Sequence, residues 1–370
     1  IIKNLITIFN KSRLDSLSSK YLTNDDLCFD ELGSLFSINQ IGSSVNHQSI
    51  SVVKVGKGDI QVLAWSQMHG NESTSTKSLL DFINALNNGE FTNILDACTL
   101  HMIPILNPDG ARIYTRENYN KVDLNRDAKI NSQSESRLLN DYFLKINPDY
   151  CFNLHDQRTI YGSDNDLNPS GLSFLSPCYD SKGSINVIRS KSMHIIEHLY
   201  SQLSNVIKDR IRLYDDDHNE NCFGDHFQMK GSSTILFESG FFEKDYNREI
   251  TRKYMFLSIV MALELISTKI SNKIEVDKYE FIPKNKVRFY DIILKNVVIN
   301  NSKLNIGINY REILNDKTIS FVPHVDAVGD LNNFIGHKEI VLSNDSNTFS
   351  SKTFIIGYAM NELLVKSLNL

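Results

Sequence analysis

Apolar positions along the 370-residue chain follow two periods. Strand-type runs, continuous or alternating, fall at residues 45–55, 59–65, 98–106, 150–154 and 234–237. Helical spacing falls at 73–86, 134–146, 184–207 and 247–269, and residues 1–32 read as a helix followed by irregular chain. Lys57-Gly58-Asp59 carries a hairpin signal between the first two runs, and Asn107-Pro108-Asp109-Gly110 punctuates the third as a turn. Strand and helix signals that alternate in this way predict an α/β fold with helices covering a sheet. Beyond about residue 272 the pattern shifts. Val-, Ile-, Phe- and Tyr-rich runs at 287–294, 304–308 and 354–358 are separated by Asn, Asp and Ser, which predicts a small β-rich domain. The expected division is 1–271 and 272–370, with no chemistry assigned to the second part.

Hydrophobic residues make up 41 % of the chain, enough for a sizeable core. The net charge of −5, the pI near 6.1 and the lack of a Lys/Arg block argue against a nucleic-acid partner. The longest apolar stretch, 254–266, is interrupted by Ser258 and Glu264 and falls short of a membrane span, so no membrane partner is expected. The first twenty residues lack the unbroken apolar core of a signal peptide. Five cysteines, an odd number without CxxC spacing, read as free thiols in a reducing compartment; a cytoplasmic location is the expectation.

Three strand-type runs end at or shortly before a residue able to bind a metal or move a proton: His69, His155 and Glu238. Open α/β sheets place their sites at the carboxyl ends of strands. His69-Gly70-Asn71-Glu72 sits where a strand gives way to a helix. An imidazole and a carboxylate three residues apart suit zinc, and a third ligand from elsewhere would leave one position open for water. His155 is the best third ligand by context, although 82 residues separate it from Glu72. His194 and His198 share a helix face but have no obvious third partner, and they read as a packed or solvated face.

Taken in order, His69-Gly70-Asn71-Glu72, Asp123-Leu124-Asn125-Arg126, His155 and Leu236-Phe237-Glu238 make the chain resemble the zinc carboxypeptidase family over about residues 45–270. The Asn107-Pro108-Asp109-Gly110 turn is similar too. The resemblance implies a three-layer α/β/α fold with a mixed, mostly parallel twisted sheet. It implies one zinc ion on His69, Glu72 and His155, the His₂Glu set for which carboxypeptidase A is the standard example. Glu238 would be the general base and Arg116 the arginine facing the developing oxyanion. Asn125 and Arg126 would hold the substrate's terminal carboxylate, and Asp123 would orient the first zinc histidine. Tyr214 matches the family's mobile tyrosine by spacing alone. The floor of the side-chain pocket has no aligned residue; Asp225, after Phe223-Gly224, reads as a turn residue that would suit a basic side chain. The implied reaction is removal of a C-terminal residue from a peptide. Two alternatives remain: an aspartoacylase- or succinylglutamate desuccinylase-like deacylase acting on an N-acyl amino acid, which also has a free carboxylate, and a zinc-binding module without catalysis. The sequence does not specify an oligomeric state.

Overall fold

The computed structural model describes residues 1–164, 167–215, 217–271, 276–300, 302–342, 348–349 and 353–368. The first part of the chain runs α1 (Ile2–Ser12), β1 (Ser37–Ser43), β2 (Ser49–Gly56), β3 (Ile60–Ser66), α2 (Thr74–Asn87), α3 (Thr92–Ala97), β4 (Cys98–Ile103) and α4 (Pro108–Ile113). It continues through α5 (Ser134–Ile146), β5 (Tyr150–Asp156), β6 (Tyr161–Gly162), β7 (Leu172–Leu175), α6 (Val187–Leu203), β8 (Ile211–Leu213), α7 (Phe223–Met229), β9 (Ser233–Ser239) and α8 (Glu249–Ser267). Eight strands form one sheet in the order β1-β2-β4-β3-β5-β9-β7-β8. β4, β3, β5 and β9 are mutually parallel at its centre, while β1, β2 and the β9–β7 pairing are antiparallel. The sheet is therefore mixed, with a parallel heart.

The central strands are buried on both faces, as parallel strands covered by helices must be. One face packs on α1, α2, α3, α6 and α8 through residues such as Phe82, Ile196, Phe256 and Val260. The other packs on α5 and α7, where Trp65 meets Phe227 edge-on and Phe143 stacks on Phe227 at 3.9 Å. Each such side chain, fully buried, stabilises the fold by about 1.5–3 kcal/mol. No helix among the described residues is long and apolar enough to cross a membrane. Cys98, Cys151 and Cys178 are buried, Cys28 is exposed and Cys222 is half-buried.

Two local expectations fail for physical reasons. Lys57-Gly58-Asp59 does not close a hairpin, because β4 lies between β2 and β3. Gly56 turns the chain at φ +94°, and a Cβ on Gly58 would lie 1.9 Å from the Ala97 backbone, so the chain crosses close under the start of β4 instead of pairing back. The run 354–358 is not a strand: Gly357 turns at φ +87°, Phe354 alone is buried, and Ile355, Ile356 and Tyr358 face outward. Asn107-Pro108-Asp109-Gly110, read as a turn, opens the short helix α4. Asn107 caps it by accepting from the Gly110 amide, and Pro108 takes the first position, where no amide is needed.

The C-terminal part contains β10 (Lys286–Val287), β11 (Phe289–Ile299), β12 (Ser302–Asn315), β13 (Thr318–Gly329), β14 (Ile335–Val341) and β15 (Thr348–Phe349). β11 to β15 form a second sheet with its own apolar cluster, including Ile292, Leu294, Ile306, Ile308 and Val325. β10 instead pairs with β6 of the first part. The expected division between residues 271 and 272 falls at the edge of residues 272–275, which lie outside the described residues.

Candidate metal and catalytic site

The three strands that carry the site are neighbours, so their carboxyl ends open on one place. β3 leads to His69 and Glu72, β5 ends at His155-Asp156, and β9 presents Glu238 opposite His155 in register. Two contacts fix the turn after β3. A Cβ on Gly70 would lie 2.0 Å from the Gly110 backbone, so only glycine admits this approach of the turn to α4. Asp156 accepts from the Thr74 and Ser75 amides at 2.8 and 3.1 Å, capping α2 from the end of β5. That cap ties the strand bearing His155 to the helix that follows Glu72.

Donor atoms of His69, Glu72 and His155 lie within 4.8 Å of one another. The Nδ1 atoms of His69 and His155 are 3.1 Å apart, and each also lies within 2.9 Å of a Glu72 oxygen. His69 Nε2 is 3.0 Å from Asp123 Oδ1. A carboxylate only accepts, so Nε2 carries a proton toward Asp123. Burial opposes charge on the ring, yet Glu72 and Asp123 raise the pKa of His69. Burial lowers the pKa of His155, outweighing the attraction of Glu72, and so favours its neutral ring. Burial would raise Glu72, yet the two imidazoles hold it well below the usual carboxylate range. Two imidazole nitrogens and an ionised carboxylate thus converge on one point. Nitrogen and oxygen donors of this kind suit zinc, and Asp123 supplies the outer carboxylate that sets the ring tautomer.

Glu238 is 7 % exposed, and no protein donor among the described residues hydrogen-bonds its carboxylate. Burial, then the charges of Glu72 and Asp156, push its pKa well up, against the pull of Arg116. Arg116 donates from Nη1 to Glu72 at 3.1 Å and from Nε to Asp123 at 3.0 Å. Asn125 Oδ1 accepts from the Phe223 amide, which anchors α7 to the Asp123–Arg126 segment. The exposed Arg126 donates to the Asn125 carbonyl and Cys222 Sγ. Tyr214 lies with its hydroxyl 3.4 Å from that of Tyr161. His69, Glu72, Arg116, Asn125, Arg126, His155, Tyr214 and Glu238 all line one cleft of about 510 Å³, with Asp123 directly behind His69.

The cleft also holds residues without a local sequence signal: Asn153, Arg158, Tyr161, Asp215, Asp217 and His218. Asp225 belongs with them and is not merely a turn residue. It lies on α7, 7 % exposed, 3.4 Å from His218 Nδ1. Burial pushes its carboxyl up to about 6, against the pull of His218.

Residues 29–158 match the sequence profile described as zinc carboxypeptidase. Over this third of the chain the protein is similar to the zinc carboxypeptidase family. The matched segment includes His69, Glu72, Asp123, Asn125, Arg126 and His155 and stops short of Glu238. Carboxypeptidase M of Mus musculus is 31 % identical over 114 residues, covering 25 % of this chain and 26 % of that protein. Carboxypeptidase SOL1 of Arabidopsis thaliana is 34 % identical over 128 residues, covering 30 % and 26 %. The chain thus spans about a quarter of the length of the curated relatives it matches. Among solved structures, thrombin activatable fibrinolysis inhibitor superposes with a TM-score of 0.56 at 13 % identity, covering 72 % of this chain and 81 % of that one. A carboxypeptidase A from Shewanella denitrificans superposes at 0.54 with 17 % identity, covering 65 % and 67 %. At these identities the superpositions speak for the shared fold.

Proposed function

We propose that this protein is a metallocarboxypeptidase that hydrolyses the C-terminal bond of a peptide with a single zinc ion on His69, Glu72 and His155. The observation that carries this reading is the meeting of that donor set, a buried Glu238 and two arginines in one cleft. Zinc held there supplies Lewis acidity, which polarises a carbonyl and acidifies water. Glu238, without a hydrogen-bond donor of its own, takes a proton from the attacking water and delivers it to the leaving amine nitrogen as the C–N bond breaks. Its raised pKa suits both halves of that transfer. Arg116 stabilises the negative charge that develops on the carbonyl oxygen. Arg126 and Asn125 bind the terminal carboxylate, a group that internal peptide bonds lack. Tyr214, which lines the same cleft, contacts the substrate. On this reading residues 1–271 are the catalytic domain and 272–370 a companion sheet.

Asp225, with Asp215 and Asp217 in the same cleft, supports a preference for a cationic C-terminal side chain. The family match favours the peptidase over an N-acyl amino acid deacylase, and an unpaired buried Glu238 would be a pure cost in a module that only bound zinc. A panel of peptides ending in Lys, Arg, Leu, Phe or Asp, assayed beside N-acetyl-aspartate and N-succinyl-glutamate, tests the reading. Release of a C-terminal Lys or Arg, abolished by chelation and restored by zinc, is the expected result. Turnover of the N-acyl amino acids alone would overturn it.

A further inference from the structure

The C-terminal sheet reaches the site through a β-hairpin arm. Pairing of β11 with β12 stops at Ile292 and Ile308, whereas β12 and β13 stay paired to Asn315 and Thr318. The two-stranded extension lies on the first part of the chain. Tyr310 and Phe321 pack on Tyr246, each with ring centroids 5.2 Å apart, in the loop that follows Glu238 and β9. Glu312 goes further in. Its Oε1 accepts from Lys20 Nζ at 2.5 Å, and its Oε2 accepts from the Tyr114 hydroxyl. Lys20 and Tyr114 are 4 % and 7 % exposed, and the Glu312 side chain keeps 26 % exposure, so its carboxylate meets two buried partners.

Both partners sit beside site residues. Tyr114 ends α4 in the left-handed conformation, at φ 57°, two residues before Arg116. A non-glycine residue there needs support from its surroundings, and the Glu312 contact provides it. The Lys20 carbonyl accepts from Ser73 Oγ at 2.5 Å, in the residue after Glu72. The Arg116 guanidinium lies on the surface of the cleft with its side chain 42 % exposed, and among the described residues Glu72 and Asp123 hold it. Its backbone follows directly from Tyr114, with the Thr115 amide on the Gly110 carbonyl and the Arg116 carbonyl accepting from Asn107 Nδ2.

We propose that Glu312 is a positioning residue: through Tyr114 it fixes the segment that aims Arg116 into the cleft, which makes the C-terminal hairpin arm part of the catalytic apparatus. The inference rests on the proposed oxyanion role of Arg116. It assigns the companion sheet a function in the rate of the chemical step and none in recognising the substrate.

The test uses the full zinc-loaded chain and a peptide ending in lysine. Glu312→Gln, which keeps the side chain's size, and Tyr114→Phe, which keeps the ring and the Lys20 pair, are each made in wild-type and Arg116→Ala backgrounds. Zinc content and Tm confirm that each variant is folded. A misplaced oxyanion donor should lower kcat on the order of tenfold while KM stays within about twofold. In the Arg116→Ala background the same substitutions should change nothing further. A second readout does not need turnover. The Nε–H resonance of Arg116, assigned by its loss in Arg116→Lys, should exchange faster with solvent in both variants, with or without zinc. Wild-type kcat with unchanged Arg116 exchange, or an equal loss of kcat in both backgrounds, would overturn the proposal. Should Glu312→Gln fail to fold, Tyr114→Phe decides by the same criteria. If Arg116→Ala retains full kcat, the oxyanion role falls by itself, and the exchange measurement still reports whether Glu312 controls Arg116.

Discussion

Two of the buried charged clusters among the described residues are built on opposite principles. Around α2 and α8, Arg252 forks onto Asp81 with two 2.7 Å bonds, and both side chains are fully buried. Its other donors reach the Leu14 and Leu17 carbonyls and Glu249, and the Leu14 amide returns a bond to Asp81. Every charge there has a fixed opposite. At the ends of β3, β5 and β9 the balance fails: two imidazole nitrogens and Glu72 converge on one another, and Glu238 has no donor. The first cluster is complete as protein alone. The second becomes complete only with a cation and a substrate, and that incompleteness distinguishes a site from a structural ion pair.

The comparison breaks most sharply at Glu238. Glu238→Gln should lower kcat by up to about 10,000-fold, the upper end for a general acid–base group, with zinc still bound. It should also raise Tm at pH 7. The folded pKa of Glu238 lies above its unfolded value, so its ionised form costs stability as pH rises past the unfolded pKa, and the neutral amide removes that cost. Kinetics and calorimetry on one preparation check both halves. Asp81→Ala should do the reverse. Stranding the Arg252 charge should cost about 3–5 kcal/mol, seen in denaturant unfolding, while kcat per folded molecule stays at the wild-type level.

Removing zinc gives a smaller effect confined to the second cluster. With free zinc at 100 times Kd, binding should stabilise the fold by about 2.7 kcal/mol. Chelation should therefore lower Tm in wild type, and by an equal amount in Asp81→Ala, because the clusters are independent. Substituting His155→Ala should abolish the chelation effect. The smallest expected effect concerns Asp225. Its carboxyl, raised to about 6, is mostly neutral at pH 5 and ionised at pH 7. The kcat/KM for a lysine-ending peptide relative to a leucine-ending one should rise roughly three- to tenfold over that interval. Asp225→Asn should flatten the ratio. His218 lies beside the Asp225 carboxyl and draws its pKa down, so His218→Gln should shift the midpoint upward.

Much of the site was legible locally. His69 and Glu72 follow a strand run and precede a helix, and both features lie within one stretch of chain. Glu238 stands at the end of an apolar run too hydrophobic for a free surface. Asn107-Pro108-Asp109-Gly110 was recognisable as a motif, but its purpose, packing Gly110 against Gly70, appears only in three dimensions. Asp225 was ambiguous because Phe-Gly-Asp suits a turn as well as a pocket, and burial beside His218 gives it its altered acidity. Tyr161 and Asn153 had no local signal at all; their place in the cleft depends on where β6 and β5 lie in the sheet.

Residue chemistry and short-range pattern, which the chain carries in its order alone, were enough to establish the α/β alternation, the ligand types and the change of character beyond residue 272. Strand order, the entry of β4 between β2 and β3, the meeting of His155 with Glu72, and the seat of Glu312 between Lys20 and Tyr114 were decided by packing. The reason is physical. Periodicity and turn chemistry act over a few residues, whereas these contacts join segments 38 to 292 positions apart, and only the shared burial of a whole sheet and its helices selects among the partners available.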